Sequence, residues 1–155
     1  MWFERGEPDA GRPIVRSWRE GVTGGGELMA EIVGLGTEIT ECLRIARLIQ
    51  RHGEAFLGRV FTPEEIRYCQ NRRQSTEHFT ARWAAKKAVL KALGLSWQPG
   101  FQWRDIEVLS DPDGQPTVLL HGPIQEAARH MGIRHLEVAL AYCRTHATAT
   151  VIAFQ

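Results

Sequence analysis

The sequence predicts an α+β domain in which an antiparallel sheet packs against a long helix. Two observations carry this. Apolar runs follow one another in the order strand, three helices, two strands, helix, two strands, which is not the strict strand–helix alternation of a parallel α/β fold. Both later strand pairs are joined by short segments, one of them the turn Asp111-Pro112-Asp113-Gly114, as antiparallel hairpins require.

Each element has a local reason. Ile32-Val33-Gly34-Leu35-Gly36 reads as a buried strand. From Glu41 to His52, Leu43, Ile45, Ala46, Leu48 and Ile49 form a helical stripe, with Gly53 as its stop. Thr62-Pro63-Glu64-Glu65 is a strong helix start. Thr62 can cap, Pro63 suits the first helical position and Glu65 completes a capping box. That helix should end near Asn71, and a longer one should run from Ser75 to Leu93, stopped by Gly94. Ile106–Ser110 and Pro116–Leu120 flank the Asp-Gly turn. A short helix is expected over Ile124–Met131, and the final strands over His135–Ala141 and Ala147–Phe154.

The first 28 residues do not fit this pattern. They hold two prolines, a Gly-Gly-Gly at 24–26, and four Arg against five Asp+Glu. Such a stretch buries too little apolar area to offset the entropy of ordering it. Residues 1–28 are therefore expected to be a flexible extension or a mis-called start. Met29 would be the natural beginning of a domain over 29–155.

Composition narrows the function classes. The 155 residues are 43% hydrophobic and 24% charged, with a formal net charge of +1. An acidic disordered tail, a histone-like protein and a collagen-like chain are excluded. No apolar run approaches the roughly 20 residues of a membrane span. The three cysteines, Cys42, Cys69 and Cys143, form no Cys-x-x-Cys pair. They read as thiols in a reducing compartment. With no secretory-signal pattern at the N-terminus, a cytoplasmic protein is expected.

The chemistry concentrates in the long helix. Between Arg67 and Lys91 there are seven cations, Arg67, Arg72, Arg73, Arg82, Lys86, Lys87 and Lys91, against the single acid Glu77. Arg82 and Lys86 share one face, as do Lys87 and Lys91. The plain reading is a strong helix former with solvated lysines; the functional one is a polyanion site. The near-neutral total argues against a broad nucleic-acid face, and no aromatic stacking motif supports one. Gly34-x-Gly36 would let backbone approach a neighbour closely. Glu38 beside the basic helix is either a metal ligand or half of an ion pair. The six histidines show no metal-ligand spacing, His130 and His135 read as surface, and Ser75 and Ser110 lack a nucleophile elbow.

Together these segments resemble the holo-acyl-carrier-protein synthases, the small phosphopantetheinyl transferases. Gly34-Leu-Gly-Thr-Glu-Ile-Thr-Glu-Cys-Leu-Arg-Ile45 is similar to their opening motif. Phe61-Thr-Pro-Glu-Glu-Ile-Arg-Tyr-Cys69 resembles their next helix start, and Ala81-Arg-Trp-Ala-Ala-Lys-Lys-Ala-Val-Leu-Lys-Ala-Leu-Gly94 their signature helix. Trp103–Val108, the Asp-Gly turn and Leu119–Gly122 continue in order.

The resemblance implies an α+β phosphopantetheinyl-transferase-like fold, a homotrimer with sites between subunits, and coenzyme A as substrate. The reaction it implies moves the coenzyme's 4′-phosphopantetheine arm onto a serine of acyl carrier protein and releases adenosine 3′,5′-bisphosphate. It also implies Mg2+ on the pyrophosphate, with neither nucleic acid nor membrane as partner. Arg82, Lys86, Lys91 and Gly94 match the family and would hold coenzyme phosphates. Arg44, Arg47 and Arg51 would face the acidic carrier protein.

Three positions depart. Glu38 stands where the family has a metal-binding Asp and is the expected metal ligand. Lys87 replaces a second metal-binding Glu. Tyr142 falls where a His often lies near the reacting phosphate. Glu38, Lys86 and Lys87 are the expected catalytic residues, with Tyr142 on the coenzyme. Two accounts of Lys87 stand. Its ammonium supplies part of the metal's charge, weakening dependence on magnesium, or the chain binds coenzyme A or carrier protein without transfer. A fatty-acid, polyketide or specialised carrier would look the same in this sequence.

Overall fold

The computed structural model describes residues 30–155. The expected extension over 1–28 lies outside them. The chain runs β1 (Ile32–Glu41), α1 (Cys42–Val60), α2 (Pro63–Gln70), α3 (Ser75–Ala92), a 3-10 turn at Trp103–Asp105, β2 (Ile106–Ser110), β3 (Pro116–Leu120), α4 (Gly122–His130), β4 (His135–Tyr142) and β5 (His146–Phe154). This is the expected α+β order.

The strands form two antiparallel sheets. One has the order β1-β5-β4 and the other is the β2-β3 hairpin. In the larger sheet Glu38 pairs with Ala149 of β5, and Tyr142 of β4 with Ala147. Helix α3 packs across this sheet. Its Ala84, Ala85, Ala88, Val89 and Ala92 meet Ala149, Val151 and Ala153 in the main core. A second core gathers Ile45, Leu57, Val60, Phe61, Cys69 and Phe79 between the helices.

Two elements exceed their expected bounds. β1 continues through Gly36 to Glu41. The polar stretch Thr37–Glu41 alternates as a strand does, but its apolar residues face outward: Leu35 and Ile39 are exposed, while Gly36 and Thr40 are buried. Helix α1 does not stop at Gly53. That glycine takes φ 51°, ψ −133° and breaks the helix, which then resumes to Val60.

The close approach expected of Gly34-x-Gly36 is to helix α3. A Cβ on Gly34 would lie 1.9 Å from the Ala92 carbonyl oxygen, and one on Gly36 would lie 2.0 Å from that of Ala88. Only glycine lets β1 run against the helix backbone at this separation.

Candidate active site

The close packing of β1 on α3 aims Glu38 at the helix. Its carboxylate is bracketed by two lysines one turn apart, with Oε1 accepting from Lys87 Nζ at 2.7 Å and Oε2 from Lys91 Nζ at 2.7 Å. Lys91 also donates to the Thr37 carbonyl at 2.9 Å. Side-chain exposure rises from 11% at Glu38 to 34% at Lys87 and 54% at Lys91. The carboxylate thus forms the floor, the ammonium groups form the rim, and the cluster carries one net positive charge. Burial pushes the Glu38 carboxyl up, but Lys87 and Lys91 outweigh it and hold the group below its ordinary value. Glu38 is ionised at neutral pH.

Of the two sequence readings of Glu38, the ion pair is the one formed here. The cluster does not fit a divalent metal. Both carboxylate oxygens already face ammonium groups. Among the described residues no group of three or more His, Cys, Asp or Glu could hold an ion. A divalent cation on a Glu38 oxygen would sit roughly 4 Å from an ammonium, a repulsion on the order of 8 kcal/mol at an effective dielectric of about 20.

Lys86, expected to hold phosphate, lies on a different face of α3 and is fully buried. Its Nζ donates to Glu65 Oε2 at 2.8 Å, to the Trp103 carbonyl at 3.0 Å and to the Ile106 carbonyl. An ammonium has three N–H groups, and all three have acceptors inside the protein. Lys86 is therefore a framework residue, contrary to expectation. Burial pushes its pKa down, and the Glu65 charge opposes that.

The helix cap predicted at Glu65 forms. Glu65 Oε2 accepts from the Thr62 N–H at 2.8 Å, and Thr62 Oγ1 accepts from the Glu65 N–H at 3.3 Å. The same carboxylate also accepts from the Val108 N–H of β2 at 2.9 Å. One buried side chain thus ties α2, α3 and the β2-β3 hairpin together.

Arg82 and Tyr142 meet a separate aromatic group. The Arg82 guanidinium, almost wholly buried, stacks on Tyr68 at 4.0 Å and donates to Ser110 Oγ at 3.2 Å. Its Nε has no hydrogen-bond partner among the described residues. Arg72 lies 4.5 Å from the same ring. Tyr142 Oη is 3.4 Å from His78 Nε2, and His78 packs edge-on against Tyr68. Burial, then the charges of Arg82 and Arg72, lower the His78 pKa to about 4. His78 was not singled out by the sequence, because nothing in its spacing marks it. Arg82 and Lys87, five positions apart, lie about 140° apart around the helix, so Arg82 does not share a face with the lysine pair.

Gly94 needs no ligand to explain it. With φ 63° it ends α3; its N–H donates to the Lys91 carbonyl and that of Leu95 to the Leu90 carbonyl, a Schellman cap. Arg44, Arg47 and Arg51 are exposed along one face of α1. Cys42 and Cys69 are buried, and burial pushes the Cys69 thiol up to about 12, which leaves it unreactive.

Known proteins share both the sequence and this architecture. A family model for the 4′-phosphopantetheinyl transferase superfamily matches residues 34–150. The chain belongs to this superfamily. A holo-[acyl-carrier-protein] synthase of Rhodopirellula baltica is 48% identical over 121 residues, which cover 78% of this chain and 96% of that protein. The crystal structure of the synthase from Neisseria meningitidis superposes with a TM-score of 0.73 at 30% identity, over 81% of this chain and all of that one. The Chronobacterium ammoniagenes synthase, solved as a complex with coenzyme A, gives 0.67 at 31% identity, over 81% of this chain and 99% of that one. The α+β transferase fold implied by the opening and signature-helix motifs is therefore the fold this chain has. No helix among the described residues is long and apolar enough to cross a membrane.

Proposed function

We infer that the chain transfers the 4′-phosphopantetheine arm of coenzyme A to a serine of acyl carrier protein, releasing adenosine 3′,5′-bisphosphate. The observation that carries this is its correspondence to a holo-[acyl-carrier-protein] synthase along nearly that protein's whole length. The site's chemistry supports it. The serine oxygen attacks the pantetheine-side phosphorus of the pyrophosphate, and the bond to the bridging oxygen breaks. Negative charge then gathers on the departing phosphate. Partly exposed ammonium groups such as Lys87 and Lys91 are suited to meeting such charge, because phosphoryl transfer depends mainly on positioning and electrostatics. In this reading Tyr142, at the end of β4 beside neutral His78, binds a further part of the coenzyme.

The exposed arginines of α1 support docking of an acidic carrier protein. The outer face of the larger sheet presents Val33, Leu35 and Ile39, with Leu43 at the start of α1 also exposed. Such a face favours cover by further copies of the chain, as a homotrimer would provide. Buried thiols at Cys42 and Cys69 suit a cytoplasmic location. The expected magnesium ion lacks a ligand set at Glu38, so the transfer is assigned to the protein's own cations.

The test is mass spectrometry of an apo-carrier protein incubated with the chain and coenzyme A. A shift of one phosphopantetheine arm is expected. An unmodified carrier, across carriers of different systems, would refute the assignment. Sedimentation velocity tests the trimer: a monomer at micromolar concentration would exclude it.

A further inference from the structure

We propose that Glu38, Lys87 and Lys91 form a metal-free clamp for the coenzyme's pyrophosphate, in which Glu38 is a positioning residue and Lys87 supplies the neutralising cation. The proposal rests on the transferase reading and concerns how the same site manages charge.

Three observations converge. First, the carboxylate divides its two oxygens between the two ammonium groups at equal distance, so one residue sets the separation of both cations. Second, among the described residues one N–H of Lys87 and two of Lys91 are engaged. With three donors on each ammonium, two remain on Lys87 and one on Lys91 for phosphate oxygens. Third, the floor is anchored to closely packed backbone. Glu38 sits on β1, which Gly34 and Gly36 press directly against the α3 backbone, and both lysines project from that same helix. An anion arriving at the rim thus meets cations already held in place, and little side-chain entropy remains to be lost on binding.

In the reaction, the serine Oγ–P bond forms as the bond from phosphorus to the bridging oxygen breaks. The electron pair of the broken bond stays on that oxygen, which leaves on adenosine 3′,5′-bisphosphate. The serine proton passes to water. Lys87 hydrogen-bonds the departing phosphate, the more strongly as its charge grows.

Isothermal titration of coenzyme A and of adenosine 3′,5′-bisphosphate into the full chain tests the clamp, first in EDTA and then in millimolar MgCl2. Both should bind in EDTA, with Kd changing less than about twofold on adding magnesium. Lys87→Gln should weaken binding at least about tenfold, the scale of one lost charge-assisted hydrogen bond, while Lys87→Arg retains most of it. Glu38→Gln separates positioning from bulk charge. Removal of a negative charge alone would tighten binding of a polyanion; loss of the anchor loosens it, and loosening is expected. Lys87→Glu should make binding require magnesium, a change that a merely structural role would not produce. Circular dichroism confirms that each variant is folded.

Coenzyme A binding by the wild-type chain only when magnesium is present would overturn the clamp. Transfer to the carrier under those conditions would leave the transferase reading standing. Metal-independent binding abolished by Lys87→Gln, with no carrier modified under any condition, would support the clamp as a binding site and overturn the transferase reading.

Discussion

Gly36→Ala is the sharpest perturbation of this architecture. The added Cβ would lie 2.0 Å from the Ala88 carbonyl oxygen and 2.6 Å from the Ala92 nitrogen, both backbone atoms that no side-chain rotation can move aside. Relief requires β1 to retreat from α3 by about 1.4 Å, the gap between 2.0 Å and the 3.4 Å of ordinary contact. Forcing one extra methyl into a packed core costs about 1–3 kcal/mol, and a clash with fixed backbone belongs at the upper end. Glu38 lies two residues further along the same face, so it is carried outward too. Its 2.7 Å contacts with Lys87 and Lys91 would stretch beyond hydrogen-bond range unless the lysines follow. Urea unfolding measures the stability loss, and titration with coenzyme A measures the damage to the clamp. At least about 2 kcal/mol of destabilisation and weakened binding by the folded fraction are expected. A variant within about 0.5 kcal/mol of wild type, with unchanged affinity, would refute the claim that glycine sets the spacing.

Other perturbations separate framework from site. Lys86→Met leaves the Glu65 carboxylate buried without its counter-charge and should cost about 3–5 kcal/mol in chemical denaturation; a loss under about 1 kcal/mol would show that the pair is not what joins the elements. Adding Glu65→Leu should not restore wild-type stability, because the Thr62 and Val108 N–H groups lose their acceptor. Thr62→Ala should cost about 1 kcal/mol through the lost cap, more if the hydrogen bond to Glu107 at 2.7 Å also counts, as thermal melts would show. His78 has a folded-state pKa of about 4 against an ordinary 6.5, so the unfolded chain binds its proton first as pH falls. Its effect is to reduce stability from about pH 6.5 down to about 4. Partial exposure limits this to about 1–2 kcal/mol, and His78→Gln should flatten that part of the profile. An unchanged slope in the variant would remove His78 as the cause.

The pattern of what the sequence revealed follows from the range of the interactions. Hairpins, caps and the α2 start depend on neighbours a few residues apart, and Thr62, Pro63, Glu65 and Gly94 announced them. The sequence hides the full length of β1 because its inward face is Gly34, Gly36, Glu38 and Thr40 while its exposed face carries Leu35 and Ile39, the reverse of a usual half-buried strand. Lys86 and Lys87 are adjacent in an Ala-rich helix buried on most sides, so composition could not say which one faces inward. The second role of Glu65 depends on Val108, 43 residues away, and no local pattern encodes that contact. Gly53 interrupts the helix rather than ending it, because the chain resumes helix on its far side.

That interruption has a consequence for how the protein can diversify. In an unbroken helix, each residue's direction is tied to every other by a sweep of about 100° per residue. Gly53 cancels that tie. Before it lie the exposed Arg44, Arg47 and Arg51, and after it Leu57 and Val60, which enter the core. The charge of the exposed arginine face can therefore change without redirecting Leu57 and Val60, which lie beyond the break. One helix thus varies at its surface while Ile45 on one side of the break, and Leu57 and Val60 on the other, hold it in the core.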